Sequence, residues 1–540
     1  MSTRTRDSRR DALASATGSG ELLRFSLRRE RFALPAWLLG VGLLLAMQSV
    51  SSQRFYDTPA KLANLREMMG ANATAVALGG PIRLLDTIGG EVLFEIFAYL
   101  AIVVALMNMF LVGRHTRSDE EAGRDELIRS ARVGRRAPAL AALALAAVAD
   151  LAVVVIVFGV AVATGLPAGG SLLFAVVIAG VGLMFASITT LAVQVFENPR
   201  SVYGSVTLLM AAAYVLRAIG DVGNGALSWA SPLGWGQRAY PYVVDRWWPV
   251  SLFLLASLVL LAIAFALLDR RDFGAGLLSY GTGPAEASWA LGSPLGLAWR
   301  LQRGSWIGWS VGVFGLGAAY GSFAESIADY LADNPEIAAF LPGGAADAVD
   351  SYLALSVSMT ALLAAAYGIT AVLRARGEET GGYSESILAA PVARTRWLAS
   401  HVTIALVGGA AVAAMGGLGI GLAHALTVGD WAQVPRMIGA AAVYWPAVWS
   451  IAAVAVLGFG WIPRAAAASA WTYFAYCVVA LLFTDSFDLP RWFATASTFE
   501  HTPQVPLDNV TATAMVGIGG ATAVALLVGF VGFGRRDTGY

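Results

Sequence analysis

Long apolar runs, each bounded by short polar or charged stretches, recur through the whole chain. They reach or approach the roughly 20 residues that a helix needs to cross a hydrocarbon core about 30 Å thick. Twelve are predicted: 33–52, 91–113, 138–165, 171–196, 203–220, 250–268, 304–322, 350–373, 397–425, 437–460, 465–484 and 512–533. Helices are the simple way to satisfy the backbone of such runs in lipid, because barrel strands are shorter and alternate in polarity. The pattern predicts an all-α integral membrane protein with twelve transmembrane helices.

The polar stretches repeat. Arg114 to Arg136 has a twin at Arg374 to Arg396: Glu120-Glu121 matches Glu378-Glu379, Asp125-Glu126-Leu127-Ile128 matches Glu385-Ser386-Ile387-Leu388 across a two-residue gap, and Arg136 matches Arg396. Leu23 to Arg29 matches Leu297 to Arg303, Pro199-Arg200 matches Pro463-Arg464, and each half closes on Arg-Arg-Asp, at 270–272 and 535–537. Two fused six-helix pseudo-repeats follow, and both start on the same side of the membrane, so the repeat is parallel rather than inverted. The expected organisation is a disordered cytoplasmic tail at 1–20 and a first half at 21–273, with a lead-in helix at 21–32 and a charged loop at 114–137. A cytoplasmic linker at 274–296 and a second half at 297–540, with its loop at 374–396, complete the chain.

Composition agrees: 57 % of the 540 residues are hydrophobic and 13 % charged, which excludes a soluble enzyme. Net charge is zero, so bulk attraction to nucleic acid is not expected. Lys and Arg number 36; with the N-terminus inside, 27 fall on inner segments, 8 on outer ones and Arg217 within a span. The positive-inside rule therefore places both termini and both charged loops in the cytoplasm. Cys477 is the single cysteine, which excludes an internal disulfide and reads as a small buried hydrophobe. Residues 1–20 have no apolar core and are no signal peptide.

Three features flank the spans. Arg24, Arg28 and Arg31 share a helical face, which suits either a helix on the inner leaflet or a basic stop flank. In the first outer loop, Leu62, Leu65, Met68 and Met69 predict a short capping helix. The stretch 222–249, with Trp229, Trp235, Tyr240, Tyr242, Trp247 and Trp248, predicts a re-entrant or surface-lying hairpin, or an ordinary interface belt.

Charges within spans are the first candidates for chemistry. Glu95, Asp150 and Arg217 are the three, and Asp150 near mid-span costs roughly 2.5–3.5 kcal/mol on insertion scales. It reads either as an acid satisfied by neighbouring polar groups or as a gating residue with Arg217 as partner. His401 and His424, near opposite ends of one span, read as satisfied polar groups. No metal-ligand spacing and no nucleophile elbow is present, and no enzyme activity is expected of this chain. A phosphate-binding GxxxxGK[ST] loop needs a lysine, and the single lysine, Lys61, lies in Thr58-Pro59-Ala60-Lys61-Leu62, outside the cell by this topology. If ATP drives the protein, another polypeptide must bind it.

The twin loops then acquire a reading. A short helix with acids at its start and basic residues at its end is favourably capped, and a charged surface can pair with a partner's arginines. A single copy would pass for a solvated loop, as charge runs usually are. Two copies in register point to two docking points for the same kind of partner, formed by Glu120, Glu121, Asp125, Glu126 and Arg136, and by Glu378, Glu379, Glu385, Arg394 and Arg396.

At these residues the chain resembles the exporter-type ABC permeases. Glu378-Glu379-Thr380-Gly381, Glu385 and Pro391-Val392-Ala393 with Arg394 or Arg396 are similar to the family's coupling loop after the second span. The first copy has Ala131 where the proline is expected. The 6+6 layout and Ser228-Trp229-Ala230-Ser231-Pro232-Leu233-Gly234-Trp235 look like the actinobacterial polyketide-antibiotic (tetronasin-type) exporter permeases. The resemblance implies two copies of a separate nucleotide-binding subunit carrying ATP and Mg, and a re-entrant hairpin before each sixth span. It also implies a lipophilic cargo path along the second and fifth spans of each half. Carried over, that path offers Met107, Phe110, Met210, Tyr214, Tyr367, Tyr473 and Tyr476, with Asp150 and Arg217 as polar candidates. The same side chains also pack any helix bundle.

The competing reading is a proton-coupled transporter of the major facilitator type, supported by Arg132-Val133-Gly134-Arg135-Arg136 and by Asp150 as proton carrier. Against it, about twenty acidic-rich residues separate that signature from the second span, and the second half has Pro391-Val392 at the matching place.

Overall fold

A computed structural model describes residues 15–124, 130–271, 276–278, 285–333, 348–483, 490–510 and 512–536. The chain divides into two compact units, 1–283 and 284–540. Among the described residues there is no strand, only an isolated bridge between Phe196 and Leu278.

In the first unit, helix α1 (Ser19–Arg29) leads into α2 (Ala33–Phe55), and the outer loop holds α3 (Pro59–Ala71) and α4 (Ala73–Gly79). Then come α5 (Ile88–Arg114), the short α6 (Arg117–Glu121), α7 (Ala137–Ala163), α8 (Ala168–Val195), α9 (Pro199–Val222), α10 (Pro232–Arg238) and α11 (Trp248–Arg270). The fourth span, α8, is the hub and packs on α5, α7, α9, α10 and α11. Its side chains Leu173, Phe174, Val177, Ile178, Val181 and Phe185 are fully buried, as continuous apolarity around a central helix predicts. By contrast α2 and α11 expose rows of leucine (Leu39 and Leu43; Leu254, Leu255 and Leu258), a surface suited to lipid.

The helix predicted from Leu62, Leu65, Met68 and Met69 is α3, and Thr58 caps it by accepting the Lys61 N–H. The aromatic stretch folds inward rather than along the surface: α10 buries Pro232, Leu233, Gly236 and Gln237. Beyond it, Tyr240, Tyr242 and Asp245 take left-handed backbone conformations, and Tyr242 wedges between Gly89 and Gly170. A Cβ on either glycine would lie 2.5 or 2.4 Å from that ring, so glycine is required at both. The Tyr242 hydroxyl donates to Ser171 Oγ at 3.1 Å, and burial pushes its phenol up to about 12.

The second unit runs α12 (Pro294–Asp333), α13 (Ala348–Thr380), α14 (Tyr383–Leu388), α15 (Arg394–Val428), α16 (Gln433–Val443), α17 (Trp445–Trp461), α18 (Ala466–Phe483), α19 (Arg491–Thr495) and α20 (Ala512–Arg535). Here lead-in helix and first span form one uninterrupted helix, α12, whereas the first unit breaks between α1 and α2. Helices α12 and α15 approach closely because Gly317 and Gly321 face the backbone at Gly416 and Ile420. This is the small-residue packing that lets helices associate in lipid.

Among the described residues eleven helices are long and apolar enough to cross a membrane, and Ala466–Leu481 within α18 is a shorter apolar segment. The chain is a multi-pass membrane protein. Cys477 is buried on α18.

Candidate functional site

The twin loops are built from ion pairs that reach across each unit. In the first, Arg117 begins α6, buries its guanidinium and grips Glu120 one turn on. Glu120 Oε1 also accepts from Arg271 at 2.8 Å, at the end of the sixth span. Arg271 in turn donates to the Val193 carbonyl, 3.0 Å away in the last turn of α8. Its own carbonyl accepts a short hydrogen bond from Arg135, ahead of α7. Asp119 is held by Arg29 of α1 at 2.8 Å and by Arg124 at 2.8 Å, while Glu30 takes Arg114 at 2.9 Å and lies 3.0 Å from His115.

The second unit repeats the arrangement. Arg536, just past the end of α20, donates Nη1 and Nη2 to the two oxygens of Glu379, both at 2.7 Å. Arg394 donates to the Arg536 carbonyl at 3.3 Å. Glu378 is buried and meets Arg374 and His401, each at 3.3 Å. The other ring nitrogen of His401 lies 3.1 Å from Gln302, which ties α12 to the loop as Arg29 ties α1 in the first unit. His401 is thus a satisfied polar group, and also a bridge that its sequence position did not reveal.

These contacts move the repeat by one position. Glu120 plays the part of Glu379, and Arg135 the part of Arg394, each pair 259 residues apart. The buried acid of each pair is Asp119 or Glu378, and the exposed position after it is Glu121 or Thr380. The alignment by the Glu-Glu dipeptide, and of Arg136 with Arg396, is therefore corrected. Arg136 pairs instead with Asp269 in an exposed bridge.

The remaining loop candidates divide by exposure. Glu121, Glu385, Arg394 and Arg396 are exposed, and so is Tyr383 at 70 %. Asp125 and Glu126 lie outside the described residues. Sequence reasoning missed Arg29, Arg117, Arg271 and Arg536. The signal for the last two was the duplicated Arg-Arg-Asp, read there only as a marker of the repeat.

The candidates within the spans fare differently. Asp150 does not meet Arg217. Its Oδ1 accepts from Asn108 Nδ2 at 2.8 Å, and the same amide donates to the Val104 carbonyl. Gly182 of α8 leaves room for the pair, since a Cβ there would sit 2.2 Å from Asp150 Oδ1. Arg217 lies at the far end of its unit, bound to Gln237 of α10 and to the carbonyls of Ala77 and Leu78 in α4. Its guanidinium rests 4.6 Å from the centre of the Tyr214 ring, and Asp221 is 3.9 Å away. Arg217 therefore ties α4 to α10. Glu95 is half-buried on α5.

Met107, Met210 and Tyr367 are buried in the apolar cores of their own units, where packing accounts for them. Phe110 packs 5.4 Å from Tyr203, Tyr473 stacks on Tyr476, and the Tyr476 hydroxyl donates to the Phe493 carbonyl. Among the described residues no cluster of three His, Cys, Asp or Glu could hold a metal.

Comparison with known proteins bears on this arrangement. The chain is 36 % identical, over 96 % of its own length and 95 % of the relative's, to the multidrug efflux system permease protein Rv1217c of Mycobacterium tuberculosis (strain ATCC 25618 / H37Rv). It belongs to the Rv1217c family of multidrug efflux permeases. Residues 291–534 match the family model described as multidrug efflux system permease Rv1217c, C-terminal domain. That match spans nearly all of the second unit, so the junction at Glu378, Glu379 and His401 lies inside a permease domain. The chain is accordingly a transport permease of the efflux type.

Proposed function

We propose that this chain is the membrane-spanning subunit of an ATP-driven ABC exporter that extrudes lipophilic compounds. It has twelve spans, with α18 as the eleventh, and both termini in the cytoplasm. Two copies of a separate nucleotide-binding subunit, with ATP and Mg, dock on the cytoplasmic loops around α6 and α14. The polypeptide itself is a conduit and holds no nucleotide. The efflux role of the Rv1217c relative supports an outward direction and a broad cargo.

The observation that carries this reading is the duplicated junction. Each half anchors the chain at its loop with a buried ion pair, Glu120 of α6 to Arg271 and Glu379 in the last turn of α13, just ahead of α14, to Arg536, and leaves the adjoining positions exposed. A solvated positive-inside loop needs no such anchoring, because exposed ion pairs contribute only about 0–1 kcal/mol. A rigidly held, exposed helix is what a motor subunit requires in order to push.

The test is reconstitution in proteoliposomes with and without the nucleotide-binding subunit. Export of a lipophilic dye is expected only with that subunit and ATP, and is expected to persist when a protonophore collapses the proton gradient. Export that needs no ATPase but vanishes with the protonophore would replace this reading with proton coupling.

A further inference from the structure

The arginine that ends each half touches more than the docking acid. Arg271 binds Glu120 with one guanidinium nitrogen and the terminal turn of the fourth span, at Val193, with another. Its peptide carbonyl is held by Arg135 from the start of the third span. In the second half Arg536 binds Glu379, and its guanidinium lies 4.8 Å from the ring centre of Phe459 in the fourth span and 4.9 Å from that of Phe533 in the sixth. Its carbonyl is held by Arg394 at the start of the third span. The two halves thus reach the fourth span by different chemistry, a hydrogen bond to a carbonyl in one and a cation–π contact with two stacked rings in the other. The connectivity is the same.

Helix α6 is also held by Arg29 at Asp119 and by Tyr203 at Ser118, and α14 follows α13 across Gly381-Gly382. A helix of five or six residues has little stiffness of its own. Displacing it without an anchor would bend the loop and leave the spans where they are. The anchors here are desolvated, with side-chain exposures of 3 % for Arg271 and 6 % for Glu379. Breaking such a pair leaves a buried charge unpaired, which is strongly unfavourable.

We infer that Arg271 and Arg536 are positioning residues that clamp α6 and the end of α13, which leads directly into α14, to the ends of the fourth and sixth spans of their half, so that motion of the docking segment moves those spans. This rests on the docking reading above, and the test separates the two. Hydrogen exchange is measured on the permease alone in nanodiscs, for wild type, Arg271→Gln and Arg536→Gln. The same proteins are then assembled with the nucleotide-binding subunit, and co-purification and cargo-stimulated ATPase activity are recorded.

Exchange at 116–124 and 376–385 is expected to rise about tenfold in the respective variants. Co-purification should be retained, and stimulation by cargo should fall about tenfold. Unchanged exchange, or unchanged stimulation in both variants, would overturn the clamp. Loss of co-purification with stimulation per assembled complex intact would also overturn it, by making the arginines part of the docking surface. Failure of the wild type to bind any nucleotide-binding subunit would defeat the docking reading, while the exchange data would still decide whether the clamp exists. Should a glutamine variant not reach the membrane, Arg271→Lys or Arg536→Lys at the same position carries the same expectations, because an ammonium keeps the charge but cannot reproduce the paired contacts of the guanidinium.

Discussion

Arg536 holds both carboxylate oxygens of Glu379 at 2.7 Å, 157 residues away along the chain. The bidentate geometry is that of a strong charge-assisted pair, and the pair is largely shielded from water. Arg136 and Asp269 form a pair of the same chemistry in the open, with side-chain exposures of 34 % and 40 %. Removing one partner of a buried pair costs about 3–5 kcal/mol, whereas an exposed pair contributes about 0–1 kcal/mol. Glu379→Ala is therefore expected to lower the thermal midpoint in detergent by more than about 6 °C, and Arg136→Ala by far less. Equal shifts for the two would show that Glu379 is not desolvated in the folded protein.

Under the proposed docking, contact with the nucleotide-binding subunit falls to what remains exposed. Tyr383, Glu385 and Arg396 share the outward part of the second loop, and tyrosine and arginine are the side chains on which interface energy concentrates. Tyr383→Ala and Arg396→Glu are each expected to weaken association with the nucleotide-binding subunit at least tenfold, or about 1.4 kcal/mol. Titration of labelled subunit onto the permease in nanodiscs measures this, and wild-type affinity in both variants would move the contact elsewhere.

Gly182 and Gly159 form a matched pair of controls within the first half. A methyl group on Gly182 would meet Asp150 and Asn108 at 2.2 and 2.6 Å, whereas nothing lies within 4 Å of one on Gly159. Gly182→Ala is expected to destabilise by about 1–3 kcal/mol, the usual cost of overpacking. Gly159→Ala is expected to be neutral or slightly stabilising. Thermal unfolding of the two variants decides, and a neutral Gly182→Ala would place the Asp150–Asn108 pair somewhere other than against α8.

Tyr367 tests the difference between a wall of the cargo path and a packing residue. It is fully buried and packs on Gly408, and its hydroxyl makes one long hydrogen bond of 3.4 Å to the Ile404 carbonyl. Tyr367→Phe is therefore expected to leave export unchanged and stability within about 1 kcal/mol. A changed cargo preference in that variant would return Tyr367 to the path.

Arg217 predicts a local effect. Substitution by Met removes three hydrogen bonds that join α9, α10 and α4. Amide exchange is expected to quicken in 73–79 and 232–238 while residues 116–124 keep their protection. Uniform quickening throughout the first unit would show that Arg217 supports the whole half and not the outer cap alone.

Much of the architecture was legible because lipid makes the code simple: a run of apolar residues either spans or does not. The capping helix α3 could be read from four apolar positions, whereas the aromatics at 222–249 left an inward hairpin, a surface-lying one and an interface belt all open. The pairing within the charged loops could not be read. Position along the chain says nothing about which arginine, some 150 residues away, will meet Glu120 or Glu379. The Glu-Glu dipeptide misled for a related reason. Chemical identity aligned Glu121 with Glu379, whereas burial and partners align Glu120 with it. Asp150 was matched to Arg217 on charge alone, but the two sit at different depths, and a neutral amide on the adjacent span was nearer.

In the register fixed by Arg135 and Arg394, Asn108 corresponds to Tyr367, and Ala149-Asp150 to Gly408-Gly409. One half therefore holds an acid–amide pair between its second and third spans, where the other holds a phenol seated on bare backbone. The duplicated halves have ceased to be interchangeable at their centres while each keeps an arginine–glutamate pair at one end. A chimera of two first halves would carry a doubled acid, and one of two second halves would lose that acid altogether. Neither would hold the parent's two unlike centres.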